Sequence, residues 1–182
     1  MGDLLTVGHG RLERAALAAL LHGAGVEMVV DVRRFPGSRA NPDVATDALA
    51  DWLPGEQVGY RWEERLGGRR RLPADVPSPD TWWRVDAFRA YAAHTRTPEF
   101  VDALESVLAG TTERATAVMC SESVWWRCHR RLIADVAVLG RSVSVRHLMP
   151  DGRTNAHRPA DGARVRDDGL LVWDAGHQEG AG

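Results

Sequence analysis

Apolar residues arrive along this chain in two rhythms. Short unbroken runs, LLTVG (4–8), VEMVVDV (26–32) and RATAVMC (114–120), have the length and β-branched content of strands covered on both faces. VGYRWEE (58–64) and SVSVRHL (142–148) read as two further strands. Between these runs the apolar positions spread to helical spacing. RLERAALAALLHGAG (11–25) carries Leu12, Leu17, Leu20 and Leu21 and stops in glycines. VATDALADWL (44–53), TWWRVDAFRAYAAHTR (81–96) and WRCHRRLIADVAVLG (126–140) predict helices, the last stopped by Gly140. TPEF at 97–100 opens another, with Thr97 as N-cap and Pro98 at the first position. Strands alternating with helices predict an α/β fold: a single domain, a mostly parallel sheet of about five strands, helices on both faces. That domain is expected over residues 1–160. Residues 161–182 read as a polar tail or a hairpin, the latter over 164–173 about the Asp168-Gly169 turn.

Two segments break both rhythms. RRFPGSRANPD (33–43) and LGGRRRLPADVPSPD (66–80) are rich in Gly, Pro and Arg. Loops as long as the second one are often functional inside a compact domain. Open α/β sheets bind ligands beyond the carboxyl ends of their strands. That rule gathers His9, Asp31, Arg33, the 69–71 arginines, Cys120 and Glu122 onto one rim.

Composition changes the picture in three ways. At 44% hydrophobic residues the chain can build a core, and no apolar run approaches the ~20 residues of a membrane span. The start, MGDLLTVGHG, has no basic region followed by a long apolar stretch, so no secretory leader is expected. Two cysteines are too few for a disulfide scaffold, which points to a reducing cytoplasm. The formal charge is −2, and all 23 basic residues are arginine. Arginines concentrated in rim loops of a near-neutral protein suggest an anionic ligand: phosphate, nucleotide or nucleic acid. Solvated loops and internal ion pairs are the plainer reading of the same arginines. Trp82-Trp83 and Trp125-Trp126 offer stacking platforms for bases, with one of each pair expected in the core.

The stretch VMCSESVWWRCHRRLIAD (118–135) holds both cysteines. Cys120 ends a strand just ahead of a helix, a setting that lowers a thiol pKa and makes a nucleophile. Glu122 and His129 are placed for proton transfer, although Glu122 also suits a helix cap and His129 a satisfied core position. Arg127 can hold an oxyanion in the same loop. Cys120, Cys128 and His129 can alternatively be metal ligands. The seven-residue gap between the cysteines, with no second pair, fits a structural zinc site poorly. The plainest reading makes both cysteines packing residues.

TVGHG, VDVRRFPGSRANP, LGGRRR, FRAYA, PEF, VMCSES followed by CHRRLIAD, and VRHL occur in that order. On these blocks the chain resembles the domain-of-unknown-function 488 family, over roughly residues 4–160. The resemblance implies an α/β domain. It also implies shared positions at His9; at Asp31, Arg33, Pro36 and Ser38; at Gly67 and Gly68; and at Cys120, Glu122, Cys128, His129 and Arg130. It carries no reaction and no cofactor. Gly10 stands where relatives commonly have Ser, and Ser121 and Val124-Trp125 replace a common Ala and Pro around the motif Glu.

The expectation is therefore a small enzyme acting on an anionic substrate. Cys120, Glu122, His129, Asp31 and His9 are the candidate catalytic set. Arg33, Arg34, Ser38, Arg39, Gly67, Gly68, Arg69, Arg127, Cys128 and Arg130 are the candidate binding set. A non-catalytic nucleic-acid-binding module and a metal-dependent enzyme are the rivals.

Overall fold

A computed structural model describes residues 2–175. Five parallel strands form the centre of one sheet: β1 (Leu4–Gly8), β2 (Met28–Asp31), β3 (Gly59–Trp62), β4 (Thr116–Cys120) and β5 (Val145–Leu148). A sixth, β6 (Thr154–Ala156), runs antiparallel along β5, giving the order β3-β2-β4-β1-β5-β6. A separate hairpin pairs β7 (Ala163–Val165) with β8 (Leu171–Trp173) across the expected Asp168-Gly169 turn, where Gly169 takes φ +80°. The α/β expectation holds, with one strand more than the five expected. β6 escaped the sequence because TNA is polar and three residues long, with neither an apolar run nor an alternation to mark it.

The helices are α1 (Arg14–Gly23), α2 (Thr46–Trp52), α3 (Asp86–His94), α4 (Pro98–Gly110) and α5 (Arg130–Asp135), the last widening into a π-turn over Val136–Gly140. Successive strand side chains point to opposite faces. Val29, Ala117 and Met119 therefore meet Leu17, Leu21, Leu49 and Trp52 of α1 and α2 in one core. Val30, Val118 and Cys120 meet Tyr91, Phe100, Leu104 and Leu132 of α3, α4 and α5 in the other. That alternation is what aims Cys120 at the α5 side. Thr97 caps α4 by accepting from Phe100 N at 3.3 Å, as its sequence predicts.

Two helix expectations shift. The helix predicted over 81–96 begins only at Asp86. Trp82 and Trp83 instead form a turn held by Trp82 N donating to Trp173 O and Trp83 N to Asp80 O. Asp80 is fully buried and bridges Arg96 and Trp173 N, which pins the long 66–80 loop from its far end. The helix predicted over 126–140 has its first turn split off as a 3-10 turn at Trp125–Arg127. The break leaves Cys128 and His129 at the entrance to α5, with Arg130 as its first residue.

Beneath β1 and β5 lies a buried polar chain that the sequence did not announce. Asp135 accepts from His157 Nε2 at 2.7 Å, from Ala160 N at 3.1 Å and from Trp173 Nε1 at 2.7 Å. His157 Nδ1 meets His147 Nε2 at 2.9 Å, and His147 Nδ1 meets Thr6 Oγ1 at 2.7 Å. One assignment satisfies every partner: His147 Nε2–H donates to His157, and Thr6 O–H donates to His147 Nδ1. The His147 imidazole is then neutral. Burial, with the Arg130 charge adding to it, pushes the His147 pKa down to about 3. In the unfolded chain His147 takes a proton near 6.5, so between 6.5 and 3 the unfolded state binds more protons and stability falls as the pH falls. Unfolding free energies from urea titrations, measured down from pH 7, should decline by about 1.4 kcal/mol per pH unit through this window on account of His147 alone. A His147→Gln protein should show a flatter decline.

Candidate functional site

The carboxyl ends of β1, β2 and β4 point into a pocket of about 370 Å³. His9, Arg33, Arg34, Ser38, Gly68, Arg69, Cys120, Glu122, Arg127, Cys128 and His129 all line it, so most of the candidate residues do converge. Asp31, Arg39, Gly67 and Arg130 do not. These four lie outside its lining for separate reasons.

Asp31 is fully buried behind Arg33. Its carboxylate accepts from Arg33 Nε at 2.8 Å, Arg33 Nη2 at 2.5 Å and Tyr60 OH at 2.8 Å, and burial, with this contact adding to it, pushes the Tyr60 pKa up. Arg33 Nη2 also reaches Val44 O, and Nη1 donates to His9 Nε2 at 3.2 Å. One of the five guanidinium N–H groups is left without a partner among the described residues, on a side chain that lines the pocket. Asp31 thus holds the Arg33 guanidinium in place at the edge of the pocket. His9 is equally committed. Its Nδ1–H donates to Gly10 O at 3.0 Å while Nε2 accepts from Arg33, and burial with the Arg33 charge lowers its pKa, so it stands neutral. Arg39 is exposed and lies outside the pocket. Ser38 Oγ accepts from Asn41 N at 3.0 Å, turning the loop while its hydroxyl keeps a proton to donate.

Gly67 and Gly68 serve close approach. A Cβ on Gly67 would stand 2.7 Å from Arg34 N, and one on Gly68 would stand 3.0 Å from His129 Nδ1. The pair therefore lets the 66–80 loop press against both the Arg34 backbone and the imidazole. Above it Arg34 donates to Arg69 O at 2.9 Å, and both guanidinium groups stack over Phe35, whose ring is 64% exposed at the pocket mouth. Neither tryptophan pair lines the pocket. Trp83 is core, Trp125 stacks on His147 with ring centres 3.9 Å apart, and the exposed Trp126 points elsewhere.

The floor of the pocket is the cysteine pair. Cys120 Sγ and Cys128 Sγ are in contact at 2.7 Å, both as free thiols and both buried. Cys128 Sγ lies 3.5 Å from His129 Nδ1, while His129 Nε2–H donates to Val32 O at 2.9 Å and so leaves Nδ1 free to face the sulfur. Tyr91 packs against the imidazole at 5.0 Å and is itself fixed by its hydroxyl donating to Leu66 O at 2.6 Å. A sulfur, a histidine aimed at it and a carbonyl fixing that histidine reproduce the general layout of an activated nucleophile.

Arg130 lies beneath the sulfurs with no exposure. It donates to Glu122 O and to Thr6 Oγ1, and its Nε has no hydrogen-bond partner among the described residues. Nor does it form an ion pair with any carboxylate there, unlike the buried Arg33 and the partly buried Arg96. Gly8 makes this placement possible, since a Cβ there would meet Glu122 O at 1.9 Å and Arg130 Nη2 at 2.8 Å. Burial alone would disfavour the Arg130 charge, but the two sulfurs outweigh it and raise the pKa.

The two thiols separate in acidity. Burial pushes the Cys120 thiol up, and its hydrogen bond to Cys128 and the charge there push it further. Burial also opposes ionisation of Cys128, but the bond from Cys120, the facing His129 and the Arg130 charge bring it well below the ordinary thiol range. The sequence placed the thiolate on Cys120. Cys128 is the one that sits nearer the helix start and against the histidine. Glu122 changes role as well: its exposed carboxylate accepts from Val124 N at 3.0 Å and braces the turn, and its backbone carbonyl serves Arg130. Among the described residues no group of three or more His, Cys, Asp or Glu side chains is arranged to hold a metal ion. No helix among them is long and apolar enough to cross a membrane.

Sequence reasoning missed Thr6, Tyr60, Tyr91, Asp135, His147, His157 and the Val32 carbonyl. Thr6, Val32, Tyr91, Asp135 and His147 stand inside the TVGHG, VDVRRFPGSRANP, FRAYA, CHRRLIAD and VRHL blocks, so a signal for them was present. Tyr60 and His157 carried none, because a buried hydrogen-bond partner looks like any core or strand residue.

Fold and site together define an α/β protein with a buried cysteine pair under an arginine-lined pocket. Residues 12–137 match the family described as Domain of unknown function DUF488, and the chain belongs to that family. No curated protein and no solved structure matches it.

Proposed function

We propose that the protein is a small enzyme that uses a cysteine thiolate on an anionic substrate held in the arginine-lined pocket. The observation that carries this reading is Arg130. A guanidinium without exposure needs an anion beside it, since an uncompensated buried charge costs several kcal/mol. The groups against it are a hydroxyl, a carbonyl and the two sulfurs. One negative charge shared by Cys120 and Cys128 supplies the missing counter-ion. Cys128 then acts as the nucleophile, with His129 Nδ1 placed to take the thiol proton. Arg33, Arg34, Arg69 and Arg127 receive the substrate charge. Phe35 offers its face to an organic portion, and an adjoining groove lined by Arg69, Arg70 and Arg71 supports an extended anion such as a nucleotide or a nucleic-acid strand. Thiols held in contact suit a reducing compartment, which supports a cytoplasmic setting.

Alkylation of the native protein, resolved by cysteine through peptide mass, tests this. Cys128 should react with a midpoint well below the roughly 8.5 of a free thiol, while Cys120 stays inert until far higher pH. Iodoacetate, which is anionic, should react faster with Cys128 than uncharged iodoacetamide, and salt should erode that preference. A midpoint at or above that of a free thiol, or a preference for iodoacetamide unaffected by salt, would overturn the reading.

A further inference from the structure

Resting on the thiolate reading above, we propose that Cys120 is the resolving partner of Cys128, and that the protein reduces small anionic disulfides at the expense of this dithiol. The argument starts from where the second sulfur sits. An enzyme that hydrolyses a covalent adduct must bring water to the attacked atom. Here the group already in contact with Cys128 Sγ is another thiol, at 2.7 Å. Cys120 is the deeper of the two, with 2% exposure against 6%, so an adduct on Cys128 has its freer side toward the pocket and its inner side against Cys120. Arg130 lies against both sulfurs and can support either one as it ionises. The pair is joined by the short loop 121–127, whose ends are tied by Arg130 donating to Glu122 O and by Cys128 N donating to Trp125 O at 3.2 Å. Closing a disulfide between them requires no rearrangement of the sheet.

The steps balance as follows. The Cys128 thiolate attacks one sulfur of the substrate, RSSR. The substrate S–S bond breaks, a Cys128–SR bond forms, and the first thiolate RS⁻ leaves and takes a proton from solvent. Cys120 then loses its proton and attacks Cys128 Sγ. The Cys128–SR bond breaks and the second RS⁻ leaves. Two electrons pass from the dithiol to the substrate, which becomes two thiols, and the protein ends as the Cys120–Cys128 disulfide. An external dithiol reductant restores the starting state by the same exchange run from the other side. The arginines at the mouth select the substrate: negative groups on R meet Arg34, Arg69 and Arg127, and an aromatic or aliphatic R meets Phe35.

The reduced full-length chain, freed of reductant, is mixed with 5,5′-dithiobis(2-nitrobenzoate), a disulfide bearing two carboxylates. Uncharged 4,4′-dithiodipyridine serves as the comparison. The wild type should release two thiolates per chain in one rapid phase and end as an intramolecular disulfide by mass, with no adduct retained. Corrected for each reagent's rate with a free low-molecular-weight thiol, the anionic disulfide should react at least tenfold faster, and salt should erode that margin. Cys120→Ser should stop at one released thiolate with the adduct on Cys128. Cys128→Ser should lose the rapid phase. A wild type that keeps a stable adduct on Cys128 beside a free Cys120 overturns the resolving role while leaving the thiolate intact. A Cys128 that is slow in both this and the alkylation experiment overturns both readings. Equal corrected rates for the two disulfides overturn the anionic specificity.

Discussion

Arg130→Met should raise the alkylation midpoint of Cys128 by about two pH units or more and slow its reaction at pH 6 by roughly 100-fold. The side chain is fully buried, and the positive charge it brings is one of the terms that hold the Cys128 thiol below its ordinary range. Methionine fills a comparable volume without charge, and replacing a buried ion by an apolar side chain is often neutral or stabilising. The thermal midpoint should therefore change far less than the reactivity. Arg130→Lys keeps a charge but loses the planar fork that spans Glu122 O and Thr6 Oγ1. It should retain part of the acid-side reactivity. Cysteine-resolved alkylation across pH 4–9, with melting curves on the same preparations, separates these outcomes. A Met variant that reacts as the wild type does would mean that the pair takes its acidity from His129 alone.

Asp135→Ala should cost about 3–5 kcal/mol and lower the melting temperature by on the order of 10 °C. The carboxylate is buried and receives three donors, one each from His157, Ala160 and Trp173. Alanine orphans all three in a region closed off by Trp173, which has no exposure. Calorimetry reads the loss directly. Part of the effect should reach the site, because Asp135 anchors the His157–His147–Thr6 chain that ends on Arg130. A broader and higher Cys128 midpoint in the same variant is the expected sign of that connection. A melting temperature within a degree or two of wild type would show that the three donors find other partners.

Periodicity located the layered fold because each central strand is an apolar run buried on both faces and most helices carry a clear stripe. It failed where side-chain chemistry governs instead. Trp82 and Trp83 look like the start of a helix, but Asp80 and Trp173 hold them in a turn. The strand-end rule found the pocket, since it depends only on the strands being parallel. It did not separate residues that line the cavity from those that hold them. Asp31 and Arg33 are two positions apart on one strand end, yet one is buried support and the other lines the cavity. That Cys128 rather than Cys120 faces His129 was equally invisible. Which of two touching thiols ionises depends on the histidine and arginine packed against each, and that is a property of the folded chain.

β6, the strand too short and polar to be read in advance, has a consequence for the molecule in a crowded solution. Among the described residues the main sheet ends in β3 on one side and β6 on the other. β3 offers four residues and β6 three. An exposed row of unpaired backbone groups is a template on which a second chain can add, and short edges give it little to hold. Without β6, the free edge would be β5, a buried-pattern strand that pairs in register with β1. Three unassuming residues thus give the layer that carries Cys120 a short polar edge, which offers little to an adding chain.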